Sequence, residues 1–382
     1  MKVVIAIDSF KGSMSSLQAG ESAAAGVKKV YEDAETVVRP LADGGEGTVD
    51  AIVSACKGRK VEVQVTGPAG KKVICPYGIV DETNTGIIEM SGAAGITQVS
   101  GDEKNPLYTT TYGVGEVIKD AIKNGCRHFV VGIGGSATND GGVGMLQALG
   151  FDFLDENGEQ ISRGAIGLKD LKSIKTENVI PELKECTFRI ACDVTNPLCG
   201  EKGASAIYGP QKGATPEMVK DMDKWLKAYA DFAKVTFSGA DASYPGAGAA
   251  GGMGFAFLTF LGGSLESGIK IVLEETDLRQ FVKDADIVIT GEGRLDGQTV
   301  MGKAPIGVAK LAKEYVLPVL GFSGCVTDDA VACNKDGIDA FFPVLRTVTS
   351  LEEALEPENA MHNMTDTVEQ VFRTIKTFGA AK

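Results

Sequence analysis

The chain has 382 residues, 43% of them hydrophobic and 23% charged, a balance that supports two cored domains and excludes disorder as its main content. Its net charge of -13 repels phosphodiester backbones and anionic lipid, so no nucleic acid and no membrane is expected as a partner, and a small molecule is. Eight cysteines, without a C-x-x-C pair or a Cys/His cluster at zinc spacing, exclude a disulfide scaffold and a zinc framework.

In chain order, KVVIAI reads as a short strand. Stopped by Asp8, it is too short for a signal-peptide core, and no later segment is long and apolar enough to span a bilayer, so the expected compartment is the cytoplasm. After DSFKGSMSS, a Ser15/Gln18 capping box opens a helix with Leu17, Ala24, Val27 and Tyr31 near helical spacing. ETVVRPL, ADGGEG and TVDAIVSACKG repeat the order strand, loop, helix. KVEVQVTGPAGKKVICPYGIV alternates and turns on Gly-Pro and Ala-Gly, which predicts an antiparallel hairpin.

The strand–loop–helix order returns in RHFVVGI, GGSATNDGG and VGMLQALG. Residues 215 to 236 predict a helix with Thr215 as N-cap, Pro216 at its first position, and Met218, Met222, Trp225, Tyr229 and Phe232 as a core stripe. DIVIT, a Gly-rich loop and PIGVAKLAKEY close the pattern, followed by the strand LPVLGFSG. The expected fold is α/β: a Rossmann-like, doubly wound parallel-sheet domain formed by 1–62 and 276–382, with a second, mixed α/β domain, 63–275, inserted into it. Which side 110–150 joins stays open.

Gly-rich loops with charged residues fall at strand ends, where open α/β sheets bind ligands. GEGRLDGQTVMGKAP carries the G-x-x-x-x-G-K spacing through Gly297, Gly302 and Lys303, but Ala304 stands where a P-loop has its magnesium-binding hydroxyl. The expectation is phosphate binding without P-loop topology, with Lys303 as the charge on phosphate and Glu292 or Asp296 on Mg2+. The alternative is that these carboxylates pair with Arg294 or Lys303. GGSATNDGG is read as an anion cradle of converging backbone N–H groups at a helix start, against the alternative of a tight connection. Asp8, Ser9 and Lys11 form a polar group suited to a hydroxyacid or phosphate. Asp43 and Glu46 lie beside flexible backbone, or else compensate a helix dipole. Asp193 can accept the proton of an attacking hydroxyl, and Asn196 before Pro197 is either a ligand or a turn residue. Arg163, Lys212 and PGAGAAGG are further candidates for anion contact or hinge motion, each more simply structural. Neither His128 nor His362 sits in a nucleophile motif, which leaves histidine-based hydrolase chemistry without support.

Seven ordered motifs, DSFKGS, ADGGEGT, GGSATNDGG, CDVTNPL, GPQKGA, PGAGAAGG and GEGRLDGQT with GKAP, resemble the type I glycerate kinase family along essentially the whole chain. One departure is Ile7, where many members have Pro; it removes no functional group. The resemblance implies a two-domain α/β enzyme that phosphorylates D-glycerate from ATP with Mg2+ at a site between its domains, 2-phosphoglycerate being favoured over 3-phosphoglycerate as product, in a monomer or homodimer. The motifs mark the site; the chemistry of their residues then gives the expected roles, with Asp193 and Lys11 in catalysis, Asp8, Ser9, Asp43, Glu46 and Asn196 on substrate, Gly134, Gly135, Ser136, Asn139 and Lys303 on the ATP phosphates, and Glu292 and Asp296 on the metal.

Two other readings use some of the same residues. An NAD(P)-dependent hydroxyacid oxidoreductase would use Gly132, Gly134 and Ala137 as G-x-G-x-x-A, and needs an acid ending the next strand about 20 residues on, where Asp152 and Asp155 fall in the hairpin-like FDFLDENGEQI. A non-catalytic hydroxyacid-binding sensor would bind glycerate without ATP.

Overall fold

The β-branched runs form a five-stranded parallel sheet and a six-stranded mixed sheet in a computed structural model that describes residues 1–379. In chain order the strands are β1 Lys2–Ile7, β2 Glu35–Val38, β3 Arg59–Thr66, β4 Lys72–Val80, β5 Thr85–Glu89, β6 His128–Gly132, β7 Asp152–Leu154, β8 Ser173–Lys175, β9 Thr187–Ala191, β10 Ser264–Glu266, β11 Ile287–Leu295, β12 Val319–Val326 and β13 Ala340–Pro343. One unit comprises 1–43, 50–56 and the chain from Ile269 onward; the other comprises 44–49 and 57–268. Residues 110–150 lie in the second unit, which also takes in β3 from Arg59, a few residues before 63.

The first unit holds the sheet β13-β12-β11-β1-β2, with every pairing parallel. Val3, Ile5, Ile7, Ile287, Ile289 and Phe322 pack beneath the helices Ser16–Lys28 and Pro357–Gly379 through Ala19, Ala23, Val27, Met364, Val368 and Phe372. Val4 and Ala6, which alternate to the other side, are also fully buried, and the helix Ala304–Lys313 lies against β1 and β11. Burial on both sides is why these strands read as unbroken apolar runs. The predicted capping box is present: Ser15 Oγ accepts from Gln18 N at 3.2 Å, and Gln18 Oε1 from Ser15 N at 2.9 Å. Leu17, expected on the inner face, is instead 41% exposed. The face turned inward is made of Ala19, Ala23, Gly26 and Val27, small enough to admit the C-terminal helix.

The stretch after DIVIT differs from the sequence expectation. Gly291 to Leu295 continue β11 instead of starting a loop, because β12 runs on beside them, with Glu292 opposite Ser323 and Arg294 opposite Cys325. Ser323 Oγ accepts the Leu295 N–H at 3.0 Å and fastens the extension. The loop proper starts at Asp296.

The second unit holds the sheet β10-β9-β6-β5-β4-β3, parallel from β10 to β5, with β3 and β4 as the expected antiparallel hairpin; β7 and β8 form a separate antiparallel ribbon. Thr215 caps the helix Pro216–Thr236 as predicted. Its fully inward face is Met222, Leu226, Tyr229, Ala230 and Ala233, while Met218, Trp225 and Phe232 are half-buried, so the stripe is rotated from the one read in sequence. All eight cysteines are free thiols. No helix among the described residues is long and apolar enough to cross a membrane.

Candidate active site

The first-unit candidates come together because β1 and β11 are neighbours in register. Ile7 lies opposite Gly291, and Asp8 N donates to Gly291 O at 2.9 Å, so DSFKGS and the end of β11 leave the sheet side by side. That is the carboxyl edge of a parallel sheet, the usual ligand position. The edge opens into a cavity of about 390 Å³ whose polar lining includes Asp8, Ser9, Lys11, Asp43, Glu292, Asp296 and Lys303. All seven were singled out from the sequence.

This polar wall carries crowded negative charge. Asp8 is 5% exposed, and its carboxyl is pushed up to about 7, first by burial and then by the charge of Asp43, against the Ser9 N–H that donates to Oδ1 at 2.6 Å; Glu292 raises it and Lys11 lowers it. Burial also raises the Glu292 carboxyl, which accepts from Thr299 Oγ1 at 2.8 Å and lies 3.5 Å from Lys303 Nζ. Lys303 Nζ is 3.9 Å from Asp296, and Arg294 is 3.4 Å from the same carboxylate. Both pairings foreseen as the alternative to metal binding are therefore present. Lys303 is also the N-cap residue of the helix Ala304–Lys313, so an ammonium and a helix N-terminus offer positive charge together.

Hard carboxylate oxygens gathered at one edge are the donor chemistry that suits Mg2+. Among the described residues no group of three or more His, Cys, Asp or Glu is arranged to enclose an ion. Mg2+ keeps several waters and binds through one or two carboxylates plus substrate phosphates, so Glu292 and Asp296 fit it without a protein cage.

The remaining candidates lie in the second unit. Asp193 is exposed two residues past β9, and its Oδ1 accepts the Gly268 N–H at 3.2 Å. Glu46 is exposed. The Asn196 amide is taken up within its own loop: Nδ2 donates to Lys202 O at 2.9 Å, and Oδ1 accepts from Tyr208 OH at 2.7 Å. Gly134 and Gly135 face solvent after β6. Ser136 and Asn139 point inward instead: Ser136 Oγ accepts from Lys212 Nζ at 2.8 Å, and Asn139 Nδ2 donates to Ser205 Oγ at 2.8 Å.

The helix start after this loop is not an open anion cradle. The buried Asp140 carboxylate accepts from Gly142 N at 3.1 Å and Gly144 N at 3.3 Å, and from Thr111 N and Oγ1 at 2.9 Å each. An internal acid thus fills the place a phosphate would take. PGAGAAGG does not serve as an anion loop either: Gly251, at φ +71, packs against Thr138 and Asn139, where any side chain would clash, and its carbonyl accepts from Gly141 N at 2.9 Å. Arg163 stacks over the Tyr112 ring at 3.5 Å, and Lys212 is buried. The strand after β6 is β7, in a separate ribbon, so Asp152 and Asp155 do not end a neighbouring strand as the dinucleotide reading requires.

A model of the glycerate kinase family matches residues 3–376. The chain belongs to the glycerate kinase family. It is 47% identical to a glycerate kinase of Haemophilus influenzae over 98% of this chain and 99% of that protein. It is likewise 47% identical to a glycerate 2-kinase of Escherichia coli over 93% of each chain. A crystal structure from Salmonella typhimurium LT2, assigned to glycerate kinase 2, matches with a TM-score of 0.92 and 46% identity, covering 100% of this chain and 99% of that one. The fold is accordingly the mixed α/β arrangement, with parallel sheets and helices, of a solved member of the glycerate kinase family.

The sequence reading missed part of the cavity. Phe10, Val344, Leu345, Leu351, Leu355 and Asn363 line it together with the polar residues. The only signal for them was Leu351 and Leu355, spaced i, i+4 behind the capping residue Ser350.

Proposed function

We propose that this chain is a type I glycerate kinase that transfers the terminal phosphoryl group of ATP to D-glycerate, giving 2-phosphoglycerate. The observation that carries this reading is the cavity at the ends of β1 and β11, where Asp8, Asp43, Glu292 and Asp296 meet Lys11 and Lys303 in a chain of this family. The name of the Escherichia coli relative supports the 2-position.

In this reading Lys11 and Ser9 hold the glycerate carboxylate or the transferred group, while Asp8, Asp43 and Glu46 orient hydroxyls. Lys303 and the main-chain N–H groups of Gly134 and Gly135 hold phosphates, with Ser136 and Asn139 keeping that loop in shape, and Asn196 does the same for the loop that presents Asp193. Asp193 accepts the proton of the attacking hydroxyl. Glu292 and Asp296 would hold Mg2+, which supplies neutralisation of phosphate charge when bound. Positioning and charge placement carry most of phosphoryl transfer, so a site rich in ions and poor in nucleophiles suits it. The same reading takes the first unit as a Rossmann-like, doubly wound domain and the second as a mixed α/β insertion; the parallel order β13-β12-β11-β1-β2 supports it.

The test is release of ADP from ATP with Mg2+ in the presence of D-glycerate, L-glycerate, glycerol, lactate or no acceptor. Turnover that depends on D-glycerate supports the kinase. Glycerate binding without turnover would replace it with the sensor.

A further inference from the structure

The lining of the first unit's cavity combines two chemistries, a polar set and an apolar set that together form its wall. Besides the carboxylates and lysines, its lining includes Phe10 and Val344, nearly buried, and Leu345, Leu351 and Leu355 at 41%, 76% and 37% exposure. A three-carbon hydroxyacid has almost no apolar surface to bury there, and it would fill only a small part of about 390 Å³. Asn363, on the helix Pro357–Gly379, belongs to this lining, and among the described residues its carboxamide makes no hydrogen bond within the chain. Lys11 lines the same cavity, where its charge acts on Asp8.

We propose that the wall of Phe10, Leu345, Leu351, Leu355 and Asn363 seats the base and ribose of a purine nucleoside triphosphate, whose phosphates run toward Lys303 and Lys11. The inference rests on the kinase reading above and adds where the donor's nucleoside lies. A flat base is buried by aliphatic side chains, and a carboxamide offers the donor and acceptor pair that matches an adenine edge. Continuity of these side chains with Lys303, Lys11 and the carboxylates that fit Mg2+ selects a nucleotide, which carries phosphates and takes a metal, over a purely apolar occupant.

The experiment measures binding of a fluorescent ADP derivative with Mg2+ to the full chain, displaced by ATP or by GTP, alongside KM for ATP and for D-glycerate. The variants are Leu351→Ser with Leu355→Ser, and Asn363→Asp; the first pair is neutral and sits on exposed side chains, so folding and phosphate electrostatics are left alone. Removing the leucines should weaken nucleotide binding about tenfold or more. KM for ATP should rise in step and KM for D-glycerate should stay unchanged. Asn363→Asp, which keeps only acceptors, should shift preference from ATP toward GTP. If wild type phosphorylates glycerate and neither variant alters ATP affinity or base preference, the nucleoside lies elsewhere and this inference falls while the kinase stands. If wild type neither binds nucleotide nor phosphorylates glycerate, the kinase reading falls, and this inference with it.

Discussion

Lys212 Nζ donates to Ser136 Oγ at 2.8 Å and to the carbonyl of Thr138 at 2.7 Å, fastening the loop after β6 from inside the second unit. Burial pushes the Lys212 ammonium down to about 7, with the Asp140 charge acting in the opposite direction. The unfolded chain keeps this proton up to about 10.4, so between roughly pH 7 and 10 the unfolded state binds more protons and stability rises with pH. Chemical denaturation at pH 7 and pH 9 should show this rise in wild type and a flatter one in Lys212→Met. Equal slopes would mean that burial does not lower the Lys212 ammonium and that it keeps its proton through pH 9 in the folded state.

Gly26 lies where the helix Ser16–Lys28 meets the C-terminal helix. A Cβ there would stand 2.8 Å from Val368 Cβ and 2.5 Å from Thr365 O. Thr365 Oγ1 donates to Ser22 O at 3.0 Å, and Lys29 pairs with Asp366 and Glu369, so the helices have little room to part. Gly26→Leu should cost about 1–3 kcal/mol of stability, the usual penalty for overpacking. Thermal unfolding checks this, and an unchanged midpoint would contradict the close approach.

Glu292 and Asp296 make separable expectations about the metal. Asp296→Asn removes a charge that lies 3.9 Å from Lys303, and Glu292→Gln removes one that lies 3.5 Å away. Each should raise the Mg2+ concentration needed for half-maximal turnover, and a chelator should abolish activity in all forms. A variant with the wild-type Mg2+ dependence is not a metal ligand.

Asp193→Asn keeps an oxygen to accept the Gly268 N–H and loses the base. Turnover should fall by about 10² to 10⁴, the range for general-base removal, with little change in KM for D-glycerate. Near wild-type kcat would end that assignment.

Much of this site is legible in the sequence because Gly-rich polar stretches at strand ends mark the ligand edge of a parallel sheet. DSFKGS and GEGRLDG meet because β1 and β11 pair, although almost 280 residues separate them, a juxtaposition no local pattern contains. Gly291 to Leu295 were misread as loop because glycine and charge argue for a turn, whereas a neighbouring strand overrides that preference. The helix start at the end of GGSATNDGG is taken up for a different reason: which anion occupies it depends on where Asp140 points, and only packing fixes that. The apolar part of the lining was hidden because Leu351, Leu355 and Asn363 lie in a polar stretch and acquire meaning only in a cavity shared with Lys303.

Phosphorus NMR of a reaction holding ATP, Mg2+ and D-glycerate reads the transfer itself. ATP should be converted to ADP in step with a new phosphomonoester signal coupled to the hydrogen on C2 of glycerate. ATP that stays intact, or that gives only inorganic phosphate while glycerate remains unmodified, would contradict it.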